Sequence, residues 1–80
     1  MTIVMELSGR ARSMLRAVAA GRAELSGGSE PDLYVDGLPC CDQSASHALV
    51  HQGLLRPRSA VRLGERVGAE LTEEGRAAIA

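Results

Sequence analysis

The chain has no lysine, no phenylalanine and no tryptophan, and its single aromatic residue is Tyr34. Every basic side chain is therefore an arginine, nine of them against ten acidic residues, for a formal net charge of −1. That balance excludes a polybasic nucleic-acid tail, an acidic tail and a basic membrane-surface helix as the main activity. Alanine, arginine and glycine are abundant where lysine and the large aromatics are missing, which we read as the mark of a high-G+C bacterial genome. A demand for guanidinium over ammonium groups is the secondary explanation. Without large rings the core must be built from Leu, Val, Ile, Met and Ala, each contributing at most ~1.5–3 kcal/mol on burial.

Also missing is any run of about 20 apolar residues, the length a membrane span needs. Met1 to Leu7 contains Glu6 and no basic region ahead of a long apolar stretch, so it does not read as a signal peptide. The two cysteines, Cys40 and Cys41, are adjacent. Neighbouring cysteines close a disulfide only by straining the peptide between them. A reduced, cytoplasmic protein is expected. Eighty residues, 45% hydrophobic and 24% charged, make one small globular domain spanning 1–80. A chain this short buries only ~60–65% of its unfolded surface, so a partner that covers an apolar face would stabilise it. A homodimer is expected on that ground.

Apolar periodicity organises the residues that are present. Leu7, Ala11, Met14, Val18, Gly21 and Leu25 recur at alternating spacings of four and three, the stripe of an amphipathic helix over about 8–25 with Ser8 as N-cap. Arg12 and Arg16 fall on its opposite face, and Glu6 stands four residues before Arg10. Ser26-Gly27-Gly28-Ser29 stops it. Leu33-Tyr34-Val35 has strand propensity, Asp36-Gly37 is a turn signal, and Pro39 confines the next segment to an edge or an extended connection. A second helix begins at Asp42 and ends at Gln52, with Gly53 as the residue after the cap. Ala45, Ala48 and Leu49 form one face of it; Gln43, Ser46, His47 and Val50 form the other, with Ser44 beside them. From Leu54 the period changes to two. Val61 and Leu63, then Val67, Ala69 and Leu71, point to one face of a β-hairpin turning at Gly64-Glu65-Arg66. Thr72 caps a last short helix with Glu73 and Glu74 in its first turn.

Helix, short strand, helix, β-hairpin and short C-terminal helix form an α+β plan close to the winged helix. Ala48-Leu49-Val50-His51-Gln52-Gly53-Leu54-Leu55-Arg56-Pro57 resembles the end of a recognition helix running into the wing of bacterial winged-helix regulators. Val67-Gly68-Ala69-Glu70-Leu71-Thr72-Glu73-Glu74-Gly75-Arg76-Ala77 is similar to the second wing strand and following helix of the MarR-like group, where a Leu-Thr-x-x-Gly run recurs. Gly37-Leu38-Pro39 with Ser44 and Ser46 resembles the turn into that recognition helix, so the likeness covers residues 37–79. It implies double-stranded DNA as partner, a helix-turn-helix role and a place in transcription regulation. By position, Gln43, Ser44, Ser46, His47 and Val50 would face bases in the major groove, where Gln can address adenine and Val a thymine methyl. Arg56, Arg58, Arg62 and Arg66 would contact phosphate or the minor groove from the wing. Residues 56–66 hold these four arginines against Glu65 alone, a local charge of +3 in a chain that totals −1.

Two other chemistries are weaker. Cys40, Cys41, His47 and His51 are all zinc ligands by type, yet adjacent cysteines chelate poorly and would lie on a different helix face from the histidines, so no metal or cofactor is expected. A Cys/His pair lacks an orienting group and an oxyanion site, and a chain this small has little room for a pocket, so no enzyme is expected. The alternative to DNA binding is a winged helix used as a protein–protein adaptor, docking on transcription machinery or on itself with its exposed Val50.

Overall fold

The computed structural model describes residues 7–80, and the readings that rest on Met1 to Glu6 lie outside the described residues. Three helices and a five-stranded antiparallel sheet form a small mixed α+β domain. The elements run α1 (Gly9–Ala19), β1 (Ala23–Ser26), β2 (Leu33–Val35), β3 (Leu38–Pro39), α2 (Gln43–His51), β4 (Leu55–Pro57), β5 (Arg66–Leu71) and α3 (Glu73–Ile79). Strand order is β3-β2-β1-β5-β4. Helix α1 packs against β1 and β5 and is flanked by α2 and α3.

Each helix starts where a polar side chain can satisfy a free N–H. Ser8, Asp42 and Thr72 accept hydrogen bonds from the main chains of Ala11, Ala45 and Gly75. Two helices end in the same glycine device. Gly21 N–H donates to Val18 O and Arg22 N–H to Ala17 O, while Gly53 N–H donates to Val50 O and Leu54 N–H to Leu49 O. Both glycines sit at positive φ, which satisfies the last carbonyls at no Cβ cost.

That device ends the first helix at Ala19, well short of its expected end at Leu25. Ala23 and Leu25 alternate with Glu24 and Ser26 instead, and the segment becomes the central strand of the sheet. Leu25 satisfies both a helical spacing from Gly21 and a two-residue spacing from Ala23; a left-handed Gly21 decides for the strand. Asp36 and Gly37, at φ 54° and 82°, make the tight turn between β2 and β3.

The second hairpin also differs from expectation. Its first strand is Leu55–Pro57, paired as Leu55 with Leu71, Arg56 with Glu70 and Pro57 with Ala69. Val61 and Leu63 belong to the connection, and Leu63 is 85% exposed. Leu55 and Leu71 are both buried, so it is Leu55, and not Val61 or Leu63, that meets Leu71 in the core. Leu15, Leu25, Leu33, Leu55 and Ala69 are sealed from solvent at the centre. Both edge strands are two or three residues long and end in proline, which removes a donor from each edge and blunts strand addition. No helix among the described residues is long and apolar enough to cross a membrane.

Candidate nucleic-acid interface

Helix α2 is the element that the resemblance would send into a DNA groove, and its polar residues serve the fold instead. The Gln43 amide pairs with the main chain of β2 in both directions. Its Oε1 accepts from Leu33 N–H at 2.9 Å, and its Nε2 donates to Leu33 O and to Cys40 O, both at 3.0 Å. Ser46 is fully buried, its hydroxyl 2.9 Å from both the main-chain and side-chain oxygens of Gln43. Neither residue is free to meet a base, which corrects their assignment as readers. Val50 packs against the core as a half-buried side chain, while Ala48, expected inside, is exposed. Ser44 alone of the five stands exposed. Truncating Gln43 takes the side-chain partner from Leu33 N–H and Cys40 O, while Leu33 O keeps Cys40 N–H and Ser46 keeps the Gln43 main-chain oxygen. Gln43→Ala is expected to lower unfolding free energy by about 2–3 kcal/mol in urea melts.

His47 is held by acids from the loop before β2. Its Nδ1 lies 3.0 Å from Glu30 and its Nε2 2.9 Å from Asp32, while His51 Nε2 lies 3.0 Å from the other Glu30 oxygen. These carboxylates cover the outer face of α2 and oppose phosphate there. Sequence alone leaves both histidines solvated, because Glu30 and Asp32 arrive from 15 or more positions away along the chain. The described residues contain no group of three or more His, Cys, Asp or Glu arranged to hold a metal ion. Cys40 packs half-buried against the core and Cys41 is exposed.

Other ion pairs pin the remaining loops. Arg10 reaches Asp42 at 3.0 Å and Arg22 meets Asp36 at 2.6 Å. Three carboxyls are held below their ordinary pKa: Asp42 by the Ala45 N–H and then Arg10, Asp36 by its hydrogen bond from Arg22, and Glu30 by its hydrogen bond with His51. A carboxyl with a lowered folded pKa contributes stability that is whole above its unfolded value and is lost as pH falls through the folded one. The urea midpoint is therefore expected to hold from neutral pH down to the ordinary values of 4.5 for Glu and 3.8 for Asp, then to fall. A midpoint that rises on acidification would contradict the pairing.

Positive charge accumulates on the second hairpin. Side chains alternate along the sheet, so Glu24, Tyr34, Arg56, Arg66 and Glu70 share the face turned away from α1. Arg56 is matched by Glu70 at 2.8 Å. Arg66 lies over the Tyr34 ring at 4.3 Å from its centre, near Glu24 at 4.0 Å. Arg58 lies across Gly68, whose missing side chain leaves room for the guanidinium. Arg58 and Arg62 have no acidic partner within 4.0 Å among the described residues.

The connection that carries Arg62 is braced. Gly27 N–H donates to Glu65 O and Glu65 N–H to Arg62 O, each at 3.0 Å. A Cβ on Gly27 would fall within 3 Å of the Arg62 carbonyl, so only glycine permits this approach. The Gly27-Gly28 pair, expected to stop a helix, is in fact the seat of the hairpin connection. Comparison with protein-family models, curated proteins and solved structures gives no match to this chain.

Proposed function

We propose that the domain is a winged-helix variant that binds duplex DNA through its second hairpin, as a small regulator or accessory factor. The order α1, β1, α2, β4, β5, α3, with β1 paired to β5 and the hairpin following α2, supports the winged-helix part of the reading. In the place of the first helix of a helix-turn-helix stands the β2–β3 hairpin. The observation that carries the function is the pair Arg58 and Arg62 on a braced hairpin, neither with an acid within 4.0 Å among the described residues. Arg12, Arg16 and Arg76 also have no acid within 4.0 Å among the described residues, but they lie on α1 and α3, so phosphate is the counter-charge proposed for the two on the hairpin.

The resulting mode differs from the expected one. Gln43 and Ser46 do not read bases, and Glu30 and Asp32 hold the outer face of α2 off the duplex. Contact falls to Arg58 and Arg62, with Arg66 pre-set by its stacking on Tyr34. Phosphate contacts position a protein without naming a sequence, so selectivity would come from groove shape and deformability. Fluorescence anisotropy with a labelled duplex tests this: affinity is expected at low salt and falls steeply as salt rises. Absence of binding at low salt overturns the reading. The adaptor alternative draws on the exposure of Leu38 at 69% and Leu63 at 85%, and it is the reading that such a result would favour.

A further inference from the structure

We infer that Leu63 is an apolar wedge that enters the minor groove of duplex DNA and kinks it, a role that rests on the hairpin being the DNA-binding element. Leu63 is the most exposed large hydrophobic side chain among the described residues. An exposed leucine on a loose loop would mean little, but this one has a fixed base. Its main chain lies against Gly27, inside the hydrogen-bonded frame of Arg62, Glu65 and Gly27, and Gly64 takes positive φ to turn the chain after it. Its Cδ1 rests beside Gly28. Glycines at 27, 28 and 64 present no side chain to shield it, so the leucine projects from ground that holds only backbone.

The charges around this point fit a groove. Arg62 precedes Leu63 directly, and Arg58 and Arg66 lie on the same hairpin; Glu65 is the one acid among them. Arginines beside the leucine would meet the phosphates that flank the groove. The groove is about 6 Å wide, room for an aliphatic side chain but not for a helix. Proteins that push a leucine or similar residue between base steps unstack the step and bend the duplex by roughly 20–90°. Flexible pyrimidine–purine steps such as TA yield most easily and stiff A-tracts least. A wedge therefore gives this hairpin a preference that phosphate contacts alone do not supply.

The test uses the full chain and two end-labelled duplexes of equal length, one with a central TA step and one with a central A-tract. Energy transfer between the ends reports bending, and anisotropy reports affinity. The wild type is expected to raise energy transfer on the TA duplex and to bind it several-fold more tightly than the A-tract. Leu63→Ala is expected to bind both duplexes with the wild-type salt dependence, without bending and without the preference. Its melting temperature is expected to be unchanged, because the side chain is not part of the core. Binding without bending by the wild type, or equal bending by Leu63→Ala, overturns the wedge and leaves the DNA-binding reading intact. No binding of either duplex at low salt overturns both.

Discussion

Gly75→Ala is expected to lower the melting temperature of the domain by roughly 10 °C, although alanine is the better helix former. Gly75 lies in the first turn of α3, buried, with its N–H donating to the Thr72 hydroxyl. A Cβ there would fall 2.9 Å from the Leu54 carbonyl carbon and nearer still to its oxygen, with Leu71 Cδ2 at 3.3 Å. Leu54 O is also the acceptor for Thr72 N–H, and the Thr72 hydroxyl donates to Gly53 O, so α3 is bolted to the junction of α2 and β4 through these backbone atoms. The collision is with main chain, which has no rotamer to escape into. Overpacking of this kind costs about 1–3 kcal/mol or more and outweighs the ~1 kcal/mol gained in helix propensity. For a domain of this size each kcal/mol moves the midpoint by about 4–8 °C. Gly9→Ala is the control, because a Cβ at the start of α1 meets nothing within 4 Å. It is expected to be neutral or mildly stabilising. Calorimetry of the two variants checks the contrast, and a Gly75→Ala protein as stable as the wild type would contradict the close docking of α3.

The larger functional effect is expected from Arg58→Ala combined with Arg62→Ala. Each lost phosphate contact lowers the salt slope of binding by about 0.9, so two lower it by about 1.8. Raising salt from about 50 to about 200 mM should then cost the variant roughly twelve-fold less affinity than it costs the wild type. Arg56→Ala is expected to change the slope little, since Glu70 already matches that guanidinium at 2.8 Å. Neither Arg58 nor Arg62 has a carboxylate within 4.0 Å among the described residues, so the double variant should melt close to the wild type. A large drop in melting temperature would instead assign the two arginines to the fold.

The parts of this architecture that are legible in the sequence are those set by neighbours along the chain. Ser8, Asp42 and Thr72 announce the three helix starts, Gly53 an end, and Asp36-Gly37 a turn, because caps and tight turns involve only a few consecutive residues. The stripe of Ala11, Met14 and Val18 likewise marks the buried side of α1. The features that are not legible depend on residues far apart. The Ala23–Ser26 strand exists because β2 and β5 pair with it on both sides, and Leu25 fits a helical spacing from Gly21 as well. The hairpin register depends on Leu55 reaching Leu71, with Val61 and Leu63 left in the connection.

The candidate site divides in the same way. The arginine surplus over residues 56–66 is visible in composition, and it survives in Arg58 and Arg62. Gln43 and Ser46 turn toward the fold and not toward a groove, for reasons the sequence shows only in part. Gln43 and Ser46 are three apart and so lie on one helical face, a spacing that suits a buried polar pair as well as a groove-facing one. Glu30 and Asp32 reach His47 only through the path of the loop. The stacking of Arg66 on Tyr34, far away along the chain, needs the central strand β1 to set it, and Leu25 of that strand also fits a helical spacing.

The second hairpin, and not α2, is the element proposed to meet DNA. The most direct measurement is the slope of log affinity against log salt for one duplex with the wild type and the Arg58→Ala, Arg62→Ala variant. Salt-sensitive binding by the wild type, with a slope shallower by about 1.8 in the variant, is the predicted result. Equal slopes for the two proteins would contradict it.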